Sequence, residues 1–348
     1  MTLLGKLATL SSCFVAEMAV GCVCALVGAW PGAARAQTAE LPAATTPSDQ
    51  GAPWPTTRDW VDYGIIGASL GGFYALHSLT PKADSGIGPS FDAQHPGLIL
   101  DPKHAGVIGR RHLIEDKEET VPASYVGLAV PAVGLWLGLQ ERFAADGSAR
   151  QAHDTVVGLA ESMATTLLVT ELAKYQFGRL RPDFADRVRR YYCTAEKSPE
   201  IQCTGNEIPL DADPAKAAKI FADGRRSFPS GHAATSFVLA TYAGLVTGGR
   251  MVWGEHATQQ SRIAGLALQA AVYAGAGIVI WSRVENGRHN PTDVLAGSLI
   301  GIGMANLAYW RRFDTGGRAR SMAAKSSAWR LDVELGPAPV GIGLALRF

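Results

Sequence analysis

Three short patterns in this chain gather residue types that handle an anion. Lys174 and Arg181-Pro182 close one apolar segment. Ser227-Phe228-Pro229-Ser230-Gly231-His232 opens the next. Ser282-Arg283, then His289-Asn290-Pro291-Thr292-Asp293, lie between the last two segments. Arginine offers a rigid fork matched to phosphate oxygens, and lysine a mobile point charge. A helix that starts at Ser230-Gly231 turns free amides outward, which is an anion site in itself. A carboxylate near His289, such as Asp293, could fix the tautomer and leave the other ring nitrogen free to attack. Two histidines, one carboxylate, three cations and a set of helix-end amides suit phosphoryl transfer without a metal. Cations and amides hold the non-bridging oxygens, one histidine attacks, and the other protonates the leaving group.

Each pattern alone has a blander reading. A basic residue at a helix C-terminus offsets the helix dipole. Ser230 is a good N-cap with or without a ligand. His289 and Asp293 could cap a helix or share a metal, although no further ligands cluster near them in sequence. It is the combination that points to chemistry.

Six apolar segments must position these residues, over about 62–80, 123–140, 154–173, 233–249, 263–281 and 293–310. Each has the makings of a helix, and several approach the ~20 residues of a membrane span. Glu161 and Glu171 interrupt the third segment, which must keep one face in a protein interior or in water. If the helices alternate in direction, the end of the third, the start of the fourth, the end of the fifth and the start of the sixth share one face. All three patterns then meet at one end of a bundle. Composition agrees with packed or membrane helices, at 47% hydrophobic against 18% charged. A formal net charge of +1 gives no global attraction to nucleic acid.

The flanks read differently. Residues 1–36 resemble an export signal or anchor: Lys6, an apolar run from about Leu7 to Trp30 broken by Glu17, then Ala34-Arg35-Ala36. Residues 37–59 are rich in Pro, Thr and Ala and read as a linker. The tail 313–348 is basic and ends in two alternating stretches separated at Gly336-Pro337, the pattern of a β-hairpin. Of five cysteines, Cys193 and Cys203 lie in one polar loop and could pair in an oxidising compartment. None of the five has zinc-site spacing.

With these residues in view, the chain resembles the type 2 phosphatidic-acid phosphatase and vanadium haloperoxidase superfamily. Its signature, K-x6-R-P, P-S-G-H and S-R-x5-H-x3-D, is present in order, and the resemblance covers about 60–312. The resemblance implies an all-α six-helix catalytic bundle over 60–312, here followed by the hairpin-like tail. It implies a phosphatase for phosphate monoesters, without a cofactor. His289 would become phosphohistidine, Asp293 would orient it, and His232 would be the general acid. Lys174, Arg181, Ser230, Gly231 and Arg283 would hold the phosphate. The six-helix spacing looks like the membrane-bound branch, which acts on lipid phosphates such as phosphatidate. The alternatives are a soluble periplasmic acid phosphatase, and a haloperoxidase that would bind vanadate at His289.

The expected location is a bacterial envelope membrane with the site on the periplasmic side. A cleaved leader followed by six spans would instead turn the site to the cytoplasm. Two arrangements avoid this: the first segment does not span, or the bundle is exported whole. Arg311, Arg312, Arg318, Arg320 and Lys325 favour a cytoplasmic tail and an outward site.

Overall fold

The computed structural model describes residues 55–79, 123–144, 148–182, 222–254, 257–320, 332–338 and 341–347. The leader expected over 1–36 and the cysteine pair Cys193 and Cys203 lie outside these described residues. Among the described residues there are six long helices: α1 (Thr57–Ser78), α2 (Ala123–Phe143), α3 (Ala149–Phe177), α4 (Gly231–Met251), α5 (Gln259–Glu285) and α6 (Pro291–Arg312). All six apolar segments are helical, and most helices extend past the apolar run by a few polar residues. α1 begins at Thr57, ahead of the expected 62 and inside the stretch read as linker. The reason is a capping box: the Thr56 side chain accepts from the Asp59 amide, and the Asp59 carboxylate accepts from the Thr56 amide at 2.7 Å.

The helices alternate in direction. Arg150 at the start of α3 pairs with Asp59 at the start of α1, and Glu171 near the end of α3 meets His77 at the end of α1. Glu141 at the end of α2 pairs with Arg250 at the end of α4. The core lies where α3, α4 and α6 converge, with Leu137 of α2 closing it. Leu159 and Met163 pack with Val238, Tyr242 and Val246, and with Ala305, Ala308 and Tyr309. α6 approaches α4 very closely. A Cβ on Gly297 would lie 2.3 Å from the Ser230 carbonyl oxygen, and one on Gly301 2.3 Å from that of Ala234. Only glycine permits this approach, which fixes the start of α4 against the start of α6.

A charge cluster ties the far end together. Arg312 is fully buried and donates to Asp62 at 2.5 Å and to Glu161; Arg311 donates to the same two carboxylates. Glu161 thus faces the protein interior. Arg311 and Arg312, read from sequence as tail charges, are instead neutralised inside the bundle. This weakens their use as topology signals, because a paired buried arginine is not a solvated cytoplasmic cation.

Among the described residues, two helices, α3 and α5, are long and apolar enough to cross a membrane. α3 is about half buried in the bundle, whereas α5 turns most of its apolar surface outward. It touches α4 through Gln269, which donates to the Gly244 carbonyl at 2.9 Å, and Tyr273, which donates to Thr241 at 3.0 Å. Near the C-terminus, β1 (Asp332–Ala338) pairs antiparallel with β2 (Gly341–Arg347). β1 runs on through Gly336 and Pro337, where the sequence pattern placed the break.

Candidate active site

The end of α3, the starts of α4 and α6 and the end of α5 meet, as the alternation requires. Gly178, at φ 57, caps α3 in the left-handed conformation and turns the chain into Arg179–Pro182. That strand of loop is pinned by its backbone: the Arg181 amide donates to the Gly224 carbonyl at 2.8 Å, and the Ser227 amide to the Arg179 carbonyl at 3.0 Å. The Ser230 amide donates to the Asp293 carbonyl at 2.9 Å, joining the first turns of α4 and α6. The Arg288 and His289 amides both donate to the Arg283 carbonyl, folding the α5–α6 turn back on itself.

Ser230 is fully buried and caps α4 through its hydroxyl, which accepts from the Ala233 amide at 3.4 Å. The amides of Gly231 and His232, in the first turn, have no acceptor within the helix. A Cβ on Gly231 would come within 3.2 Å of the Lys174 ammonium, so glycine lets the lysine lie directly over the helix start. Lys174, Arg181, Arg283 and Arg288 all act electrostatically on His232. Burial, reinforced by these four cations, pushes His232 down to about 3.

His289 is buried, and its Nδ1 donates to the Ser227 carbonyl at 2.8 Å. A carbonyl can only accept, so Nδ1 carries the proton. Burial first, and then the cations Arg181 and Lys174 with His232 close by, hold the imidazole well below its ordinary value and therefore neutral. Nε2 is left with its lone pair, the form a nucleophile needs.

Asp293 was expected to bond directly to His289. Its Oδ2 lies 3.9 Å from Nδ1, too far for a hydrogen bond. The fully buried carboxylate instead accepts from Ser227 Oγ at 2.5 Å, from the Asn290 amide at 2.8 Å and from Arg179 at 2.7 Å. Asp293 thus holds the residue that holds His289. The structure therefore brings together His289, His232, Asp293, Lys174, Arg181, Ser230, Gly231 and Arg283.

It also adds residues to which sequence reasoning gave no role: Arg179, Ser227, Glu171, Arg226 and Arg288. Arg179 and Ser227 stood inside the quoted patterns, where only their neighbours drew attention. Glu171 was recognised as a charge needing shelter. Its partners, Arg226 and His77, are remote in sequence and carry no local signal.

One further group of possible metal ligands stands at the far end. Asp59, His153 and Asp154 bring their ligand atoms within 4.8 Å of one another. Arg150 already supplies the positive charge there, donating to both Asp59 oxygens at 2.7 and 2.8 Å and lying 3.3 Å from Asp154.

Residues 155–316, which carry Lys174, Arg181, Ser230, Gly231, His232, Arg283, His289 and Asp293, match the model of the PAP2 superfamily. This helical region is similar to that superfamily. Over 46% of the chain it is 28% identical to a probable lipid phosphate phosphatase 4 of Arabidopsis thaliana, covering 48% of that protein. Over 38% it is 32% identical to a putative phosphatidate phosphatase of Drosophila melanogaster, covering 35% of it. A shorter stretch, 24% of the chain, is 37% identical to 16% of a lipid A 1-phosphatase of Porphyromonas gingivalis. The chain spans about half or less of the length of these curated relatives. No solved structure matches the chain significantly.

Proposed function

We propose that this chain is a metal-independent phosphatase that hydrolyses lipid phosphate monoesters through a phosphohistidine at His289. The observation that carries the reading is the single hydrogen bond from His289 Nδ1 to the Ser227 carbonyl, which leaves a neutral, buried Nε2 among cations. Lys174, Arg181, Arg283 and the first amides of α4 would take the non-bridging oxygens, supplying the positive field that phosphoryl transfer requires. Nε2 attacks phosphorus, the ester P–O bond breaks, and His232 gives its proton to the departing oxygen. Water then attacks the phosphohistidine, His232 takes the water's proton, and inorganic phosphate leaves with His289 restored.

His232 is neutral in the empty site, so the proton for the leaving group must arrive with the substrate. A phosphate monoester has a second pKa of about 6, and below it carries one acidic proton. An anion placed among the same cations also offsets their share of what holds His232 down, the rest being burial.

A lipid substrate fits the outer surface of the bundle. Leu295 and Leu299 on α6 are about 60% exposed, Leu128 and Leu135 on α2 more so, and Trp281 and Tyr74 are exposed near the site end of α5 and α1. Exposed apolar stripes on several helices, with aromatic side chains at the end near the site, suit a bundle held in lipid with its site at the interface. The names of the relatives point to phosphorylated lipids as well.

The chain path supports one arrangement in a membrane. α1 runs beside α3 from Arg150 to Glu171, so it is a full-length member of the bundle rather than a partial one. The starts of α1 and the end of α6 share the end opposite the site. We place that end, with Arg318 and Arg320, on the inner side and the site on the periplasmic side. Residues 1–36 then cannot have carried Thr56 outward ahead of six spans. Labelling of Arg318→Cys by an impermeant thiol reagent in whole cells tests this: no labelling is expected, and labelling would place the site inside.

The substrate class is tested by comparing phosphatidate in mixed micelles with p-nitrophenyl phosphate. Lipid preference and detergent dependence are expected, and equal turnover of a water-soluble alkyl phosphate would favour a soluble-ester phosphatase.

A further inference from the structure

Glu171 presents a problem for a phosphate site. It is a buried carboxylate, 1% exposed, beside the cation that should hold the phosphate. Its Oε2 accepts from Lys174 Nζ at 3.3 Å. Its Oε1 accepts from Arg226 and lies 3.1 Å from His77 Nδ1. Arg226 in turn donates to the carbonyls of His77 at 2.8 Å and Leu79 at 2.6 Å, fastening the end of α1 to the site. One negative group is thus shared by Lys174, Arg226 and the last turn of α1.

A site with this much positive charge has an electrostatic difficulty. Lys174, Arg181, Arg226, Arg283 and Arg288 gather near the start of α4, and the product, inorganic phosphate, keeps the phosphoryl charge that drew the substrate ester in. Such a field stabilises the product as well as the transition state, and a tightly held product slows turnover. A carboxylate already bonded to Lys174 works against this by competing for the same ammonium.

We propose that Glu171 is a positioning residue that limits product inhibition: it holds Lys174 over the start of α4 in the empty site and reclaims it as phosphate leaves. The inference rests on the phosphatase reading. It goes beyond that reading by giving the bundle a built-in competitor for its own product. Arg226 fixes the carboxylate in place, and through the His77 and Leu79 carbonyls it ties α1 to the same end.

A purely structural role and this role predict opposite signs. If Glu171 only supports Lys174, its loss disorders the lysine and weakens phosphate binding. If it competes, its loss strengthens phosphate binding. In the full-length Glu171→Gln protein we expect the Ki of inorganic phosphate to fall about tenfold and kcat to fall with it. Calorimetric titration with inorganic phosphate reads the same affinity without turnover. Should Glu171→Gln fail to fold, Glu171→Asp keeps the charge near Arg226 but withdraws it from Lys174, and a smaller tightening is expected. Unchanged or weaker phosphate affinity in the folded variants would overturn the proposal. Wild-type protein that binds phosphate but releases none from any ester would instead sink the phosphatase reading, with the affinity comparison still deciding the role of Glu171. No phosphate binding by wild type would overturn both.

Discussion

Asp293 stands 3.9 Å from His289 and acts on it at one remove, through Ser227. The serine hydroxyl donates to the carboxylate at 2.5 Å, while the serine carbonyl accepts from the imidazole at 2.8 Å. Removing the hydroxyl leaves the carbonyl in place, held less firmly. Ser227→Ala is therefore expected to lower kcat/KM by about tenfold, the scale of one lost hydrogen bond to a charged group. Asp293→Asn disturbs Ser227, Arg179 and Asn290 together and should cost on the order of a hundredfold or more. Steady-state kinetics on one lipid ester compares them, and a larger loss in Ser227→Ala than in Asp293→Asn would contradict the relay.

His232 has the position of a proton donor in the first turn of α4. Activated aryl phosphates leave without much help, and alkyl phosphates do not. His232→Ala should lose about a hundredfold or more on an alkyl phosphate and much less on p-nitrophenyl phosphate. Equal losses on the two esters would remove His232 from the role of acid.

The pH profile has a definite sign. His289 is held well below its ordinary value, so its neutral form persists as pH falls through the usual histidine range. His232, at about 3 in the empty site, is also neutral there. kcat/KM should therefore show no acid limb near pH 6.5, and should fall on the alkaline side as the substrate loses its second proton near about pH 6. An acid limb at ordinary histidine values would mean that His289 is solvated or charged in the free protein.

Gly297 and Gly301 carry the α4–α6 contact on which the site depends. A methyl at Gly297 would meet the Ser230 carbonyl oxygen at 2.3 Å, a backbone atom that cannot swing away. Gly297→Ala should destabilise the protein by roughly 1–3 kcal/mol and displace the first turn of α4. The check is thermal unfolding together with activity at a temperature where the variant stays folded. Wild-type stability and activity would show that the helices can separate without harm.

The helices were legible because their apolar runs are long, and the site because its three patterns fall at helix ends. What stayed hidden depends on tertiary contact. The start of α1 was concealed by a Pro- and Thr-rich stretch, although Thr56 and Asp59 form a capping pair that a closer reading finds. Arg311 and Arg312 look like a cytoplasmic tail until Asp62 and Glu161, far away in the chain, arrive to bury them. Nothing local in Arg226 marks it as the partner of Glu171. The direct Asp293–His289 bond seemed natural from their spacing, and the intervening Ser227 carbonyl appears only once the α4 and α6 starts are brought together.

The most direct test is release of inorganic phosphate from phosphatidate, with a chelator present, by wild type and by His289→Ala. Chelator-resistant release in wild type, lowered at least about a thousandfold in the folded variant, is the predicted result. Release that needs added metal, or that survives the loss of His289, would contradict a phosphohistidine mechanism at this site.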